Sequence, residues 1–285
     1  MNLGALLSFL ENNTDFQGLL SDLEASIHVR SVALVAARPY LLAALSLKME
    51  GPLVVVTPRA ERAQHLQEQL SLWLGTEDSI YLFPELELSP DLEVVLEPTG
   101  GLERLRLLAR LDAGEALPKV IVAAVAAMAQ PLPSPASYRE QRLTLAVGDR
   151  INLEELLAKL VAWGYEPSPA VEAPGGFARR GGILDVFPPQ ETRPFRIELF
   201  GNRVDSLRAF DPMSQRSLTQ IPSAAIGPAR AQQGEASLLA YLSPGCLLVV
   251  EDPEETEAVL EVIYRTMVRR LNEKIPPDPP LQRGV

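Results

Sequence analysis

Few residues in this sequence could do chemistry, and most stand in settings that work against it. There are two histidines, His28 and His65. His65 lies in Gln64-His65-Leu66-Gln67-Glu68, without the second histidine that a zinc-protease helix needs one turn away, so a solvated helix face is expected for it and a loop for His28. The single cysteine, Cys246, excludes an intramolecular disulfide, and no Cys/His cluster offers a structural zinc site. A nucleotide phosphate would sit where an apolar run, Ser31–Ala36, gives way to a helix. A phosphate loop needs glycines there so that backbone N–H groups can curl around the anion, then a lysine and a hydroxyl for charge and Mg²⁺. Ala36-Ala37-Arg38-Pro39-Tyr40-Leu41 has none of these, and Pro39 removes a donor. Arg38 alone could touch an anion. Leu247-Leu248-Val249-Val250-Glu251-Asp252 has the outline of a Walker B strand. With no phosphate loop opposite, the plainer reading is an acidic helix start, with Asp252 and Glu254 favoured by the helix dipole. No catalytic residue, metal ligand or cofactor site is expected.

The stretch Gly175–Ser217 is more informative. Phe195–Phe200 and Arg203–Phe210 read as the arms of a hairpin, with Gly201-Asn202 as a two-residue turn that places glycine where a type II′ turn needs positive φ. Period-two alternation puts Phe195, Ile197 and Leu199 on a core face and Arg196, Glu198 and Phe200 on the other. A phenylalanine beside an arginine on an outer face has the composition of an interface centre, and also that of a stray exposed aromatic among surface charges. Sequence leaves both readings open.

These residues need elements to position them. Ser31–Ala36, Leu53–Thr57, Ile80–Phe83 and Lys119–Ala123 read as short buried strands, alternating with helix-period segments at Arg59–Leu74 and Gly101–Ala113. That alternation predicts an α/β unit with a mostly parallel sheet. The proline cluster Gln130–Pro135 marks a crossing into a second, α+β unit, which opens with a helix over Asp149–Trp163 whose apolar face is Leu153, Leu156, Leu157, Leu160 and Val161. Cys246–Glu251 and the acidic helix Pro253–Leu271 then resemble one more strand–helix pair of the first unit, which makes the middle one an insertion. The expected boundaries are 1–134, 135–222 and 223–285, with Ile275–Pro280 as a proline-rich linker.

Charge argues about partners. Across 285 residues the net charge is −11, the opposite of the basic balance that phosphate binding favours, so autonomous nucleic-acid binding is disfavoured. Tyr165–Gln220 holds seven basic and seven acidic residues, so it is neutral within an acidic protein and the natural place for a partner's footprint. No apolar run reaches the roughly 18 residues of a membrane span, and Met1-Asn2-Leu3-Gly4 lacks a basic leader. A cytoplasmic location and no membrane partner are expected.

Gly175-Gly176-Phe177-Ala178-Arg179-Arg180-Gly181-Gly182-Ile183-Leu184-Asp185-Val186-Phe187-Pro188, followed by Phe195-Arg196-Ile197-Glu198-Leu199-Phe200 and the closing Phe210-Asp211, resembles the UvrA-binding domain shared by UvrB and the transcription-repair coupling factors. Leu82-Phe83-Pro84-Glu85, Ser89-Pro90, Gly101-Leu102-Glu103-Arg104-Leu105 and Met128-Ala129-Gln130-Pro131 resemble the family's first domain. The coupling factors fit better than UvrB, which is similar in the middle domain but carries an intact phosphate loop and a tyrosine-rich hairpin. Here the six tyrosines are scattered. The resemblance implies a degenerate helicase-like domain with an inserted interaction domain, and a role in recruiting UvrA to nucleotide excision repair. It carries the UvrA-contacting positions onto Arg180, Arg196 and Phe200, with Arg179 a neighbouring basic residue. It also implies that contacts with RNA polymerase and DNA, and the ATP- and Mg-dependent motor, belong to downstream parts, so the chain is expected to be a fragment or truncated product. The alternatives are a UvrB-type ATP-dependent damage verifier and a stand-alone UvrA-binding adaptor.

Overall fold

The computed structural model describes residues 3–26, 28–75, 79–86, 98–114, 117–230 and 234–274. The expected linker Ile275–Pro280 and the Ser89-Pro90 pair lie outside them.

The chain starts with two helices, α1 (Ser8–Glu11) and α2 (Thr14–Ala25), the second capped by the Asn13 side chain, which accepts from the Phe16 N–H. Next come α3 (Arg38–Lys48), β1 (Leu53–Thr57), α4 (Ala60–Leu74), β2 (Ile80–Phe83), α5 (Pro98–Ala113), β3 (Val120–Ala124), and the short helices α6 (Val125–Ala129) and α7 (Pro135–Glu140). The middle unit contributes β4 (Leu143–Ala146), α8 (Leu153–Ala162), β5 (Glu166–Pro167), β6 (Gly176–Arg180), β7 (Ile183–Val186), β8 (Phe195–Phe200), β9 (Arg203–Phe210), β10 (Ser217–Gln220) and β11 (Ser223–Ile226). The chain then returns through β12 (Leu247–Val250) and α9 (Pro253–Lys274).

β12, β1, β3 and β2 form a parallel sheet in that order. Its central strands are buried at every position and apolar at all but Thr57, because both faces are covered. Val54, Val56, Ile121 and Ala123 face a core with Leu105, Leu107, Leu108 and Tyr138, while Leu53, Val55, Val120 and Val122 face another with Leu42, Leu45, Leu66 and Leu70. The motifs quoted for the first domain converge here. The buried Arg104 guanidinium donates to the Pro84 and Ala127 carbonyls and to Gln130 Oε1, lies 4.3 Å from the Phe83 ring centre, and has its pKa pushed down to about 10 by burial. Gln130 in turn pairs with the Leu86 backbone through both amide atoms.

Ser31–Ala36 is not a strand. Val32 and Leu34 are 95% and 82% exposed, and the chain turns into a 3-10 turn at Val35–Ala37. An apolar run becomes a strand only where a neighbour receives its ladder bonds, and among the described residues none does so here. Instead, ion pairs from Arg30 to Glu254 and from Arg38 to Asp252 hold both ends of the segment against the start of α9. Val161 also departs from expectation: it is 57% exposed, while Leu156 and Leu160 on the same helix are buried.

In the middle unit β10-β9-β8-β7-β6-β5 form a six-stranded sheet, packed through one face on α8 and on a two-stranded β11–β4 ribbon. That core takes in Leu145, Ala224, Ile226 and Ala229, whereas Tyr138 belongs to the core of the first unit. The unit's body therefore runs from about Leu143 to Ala229, later at both ends than 135–222, because β11 pairs with β4 instead of crossing back at once. The two crossing segments are tied together where Leu132 and Ala236 exchange backbone hydrogen bonds.

Candidate docking site

The hairpins of the middle sheet set the register of its second face. Arg180-Gly181-Gly182-Ile183 closes β6 on β7, and Gly182 sits so near Leu199 that a Cβ there would stand 3.0 Å from the Leu199 carbonyl oxygen. Gly201 takes φ +62° while Asn202 stays outside the left-handed region, the combination a type II′ turn requires. Partners facing each other across an antiparallel ladder point to the same side. One row therefore holds Asp185, Arg196 and Arg208, and the next holds Arg180, Ile183, Glu198 and Ser206. Phe200 follows beyond them, paired with Arg203. The three residues singled out by resemblance thus share one face, opposite the core that buries Phe195, Ile197, Leu184 and Leu207.

Their surroundings differ. Phe200 is 83% exposed. Arg180 is exposed and spends one donor on the Pro169 carbonyl, 2.8 Å away. Arg196 is not the outward, free side chain that alternation alone suggested. Its Nε and Nη2 donate to the two oxygens of Asp185 at 2.6 and 2.8 Å, and its guanidinium lies 4.9 Å from the Phe210 ring centre. A second small core of Val171, Ala178, Phe187 and Phe210 covers this end of the face, leaving Arg196 only 16% exposed and Asp185 2%. The hydrogen bond to Asp185 raises the Arg196 pKa further, so the pair is a fixed charge-assisted fork. Arg179 points to the other side and pairs with Glu154 of α8 at 2.7 Å. Leu199 packs on the larger core as one of its partly buried members.

Asp185, which accepts both Arg196 hydrogen bonds, is the partner that strand alternation does not supply. It stands in the quoted motif, but its partnership with Arg196 depends on the β7–β8 register, which neither strand's own alternation reveals. Arg208 sits directly across from Arg196 through the β8–β9 register, which is equally hidden from either strand alone.

The junction at Arg38, at the start of α3, is built differently. Arg38 donates through Nη1 to Glu251 at 3.1 Å and through both Nη atoms to Asp252 at 2.9 Å. Arg62 grips Glu251 through Nε and Nη2 at 2.9 and 2.7 Å. Glu251 is 5% exposed, and its backbone N–H bonds the Val56 carbonyl. The fork to Asp252 raises the Arg38 pKa, and Arg38 holds the Asp252 carboxyl below the usual aspartate range. Asp252 therefore meets a guanidinium from α3 as well as the helix start of the simpler reading. Both acids of the Walker B-like run are committed to arginines.

His28 is exposed in a loop and His65 lies on an exposed face of α4, 3.8 Å from Glu68. Among the described residues no helix is long and apolar enough to cross a membrane.

Residues 143–231 match the UvrB interaction domain family. The chain is 34% identical over 225 residues to the transcription-repair-coupling factor of Bacillus subtilis, which covers 78% of this chain and 19% of that protein. Over that length it is similar to one part of a transcription-repair-coupling factor. The Myxococcus xanthus protein is 36% identical over 221 residues, 75% of this chain and 18% of the relative, and the Mycobacterium bovis protein 35% over 189 residues, 64% and 15%. The chain thus spans about a fifth of the length of the curated relatives it matches. The matched domain, 143–231, nearly coincides with the body of the middle unit, Leu143 to Ala229.

Proposed function

We propose that this chain is a coupling-factor region acting as a non-catalytic docking module, which recruits UvrA during transcription-coupled nucleotide excision repair in the cytoplasm. The observation that carries the reading is the second face of the middle sheet. There an exposed phenylalanine stands beside an exposed arginine and a braced one, inside the segment that matches the UvrB interaction domain. Arginine and aromatic side chains of this kind dominate binding energy at protein interfaces. The name of the relatives supports the repair context, and the resemblance supplies UvrA as the partner. Contacts with RNA polymerase and DNA, and the ATP-driven motor, fall to other parts of the family's architecture. The arginine–acid cluster at Arg38 supports the absence of nucleotide chemistry here, since Glu251 and Asp252 are already committed to guanidinium groups.

Titration of the chain with purified UvrA tests the reading. Phe200→Ala and Arg180→Ala are expected to weaken binding, Phe200→Ala by roughly 2 kcal/mol or about thirtyfold, without moving the melting temperature. UvrA binding that is indifferent to both substitutions would refute the docking face. Titration with Mg-ATP should show no heat, and a micromolar dissociation constant would contradict the non-catalytic reading.

A further inference from the structure

The geometry points to Arg208 as a direct carboxylate-binding residue of the docking face, engaging an acidic group of the partner that Arg196 is too committed to bind. The inference rests on the docking reading above and deepens it by naming the chemistry that the partner must present.

Arg196 and Arg208 face each other across the β8–β9 ladder, one strand spacing apart, on the side that also carries Arg180, Ile183 and Phe200. Two like charges side by side on a sheet repel unless carboxylates separate them. Arg196 has its carboxylate: Asp185 takes both its Nε and its Nη2. Arg208 has none within hydrogen-bond distance. Its nearest acid is Glu198, 3.7 Å from Nη2, and the same Glu198 oxygen accepts a 2.6 Å hydrogen bond from Ser206. Ser206 thus holds the carboxylate on its own side of the row. The Arg208 Nε–H is enclosed and has no acceptor at all.

An arginine kept for a structural purpose has its buried N–H groups paired, because burying one without an acceptor costs stability. Arg208 carries that cost while its side chain stays 38% exposed. Its two Nη groups can take a carboxylate end-on, in the planar fork that lysine cannot reproduce. Arg180 offers further free donors in the neighbouring row, and Phe200 lies beyond it. The face therefore reads as two available guanidinium groups flanking a self-neutralised Arg196–Asp185 brace, with an exposed aromatic at one end. Its complement is a protein surface that presents at least two carboxylates and an apolar seat. An acidic protein meets such a surface favourably only where its own acids are already occupied, as Asp185 and Glu198 are here.

The test is titration of the chain and its variants with purified UvrA at several salt concentrations, with thermal melts as the folding control. Arg208→Ala, and Arg208→Met which keeps the apolar stem, are expected to weaken binding about tenfold or more. They should flatten its salt dependence and leave the melting temperature unchanged or raised, since an unsatisfied N–H is removed. Arg208→Lys should restore only part of the affinity. If the wild-type chain binds and Phe200→Ala is impaired while both Arg208→Ala and Arg208→Met bind normally, this inference is wrong and the docking face stands. Should the wild-type chain fail to bind UvrA, the recruitment reading falls and this one with it.

Discussion

Two of the arginine–carboxylate clusters among the described residues are built to opposite ends. At the start of α3 and α4 two arginines meet two acids, and Glu251 and Asp252 each receive a forked pair of hydrogen bonds. On the second face of the middle sheet only Arg196 is so paired, while Arg180 and Arg208 keep donors unused. The first cluster closes on itself and ties α3 and α4 to the strand that returns from the insertion. The second is left incomplete. Arginine content alone does not distinguish a locked site from a waiting one; the position of the neighbouring acids does.

The difference is sharpest at Arg196, which belongs to the docking face by position and to the locked kind by bonding. Removing it leaves the 2% exposed Asp185 without a partner beneath the small Val171–Phe210 core. Arg196→Ala should lower stability by about 3 kcal/mol, in the range for stripping one side of a buried pair, as well as weaken docking. Urea denaturation measures this. A variant as stable as wild type would place Arg196 among the free contacts and dissolve the distinction.

At the other cluster, Glu251→Ala is expected to cost about 2 kcal/mol. It costs less than the loss at Arg196 because Arg38 and Arg62, at 21% and 29% exposure, can turn to water once the acid is gone. UvrA affinity should be unaffected, since this cluster lies in the other unit. Loss of docking in a folded Glu251→Ala protein would mean that the two regions are coupled.

Much of this architecture was legible in the sequence, and the rest was lost for identifiable reasons. Leu53–Thr57, Ile80–Phe83, Phe195–Phe200 and Arg203–Phe210 are strands at the expected limits, because bounded apolar runs in the first two and alternation about a glycine turn in the others are local signals. Phe200 could be placed outside from its parity alone. Arg196 could be assigned its side but not its company, since Asp185 reaches it across a strand register set by β7. The partners of Arg38 lie more than two hundred residues away, where no spacing rule reaches. Ser31–Ala36 has the composition of a buried strand but no neighbour to receive it, and composition cannot report a missing neighbour. Val161 likewise fits the helix period yet is 57% exposed, since periodicity does not report what packs on a helix face.

The smallest effect concerns how far the locked cluster depends on pH. Asp252 adopts φ +45°, a left-handed conformation that asparagine tolerates about as well as aspartate, so Asp252→Asn changes the charge without adding backbone strain. The Arg38 fork depresses the Asp252 pKa in the folded chain. A carboxyl whose folded pKa lies below its unfolded value, about 3.9 for aspartate, contributes stability at pH above that value. The contribution is lost as pH falls through the folded pKa. With 45% of the Asp252 side chain exposed, solvent screening keeps the contribution within about 1 kcal/mol. Wild type should therefore exceed Asp252→Asn by a few tenths to about 1 kcal/mol near neutral pH. The gap should close on acidification, as the carboxylate of the wild type is protonated. Paired urea titrations from neutral pH downward would show this convergence. A gap that stayed constant would mean that Arg38 draws its hold on α9 from Glu251 alone, leaving Asp252 a surface acid at a helix start, as its sequence first suggested.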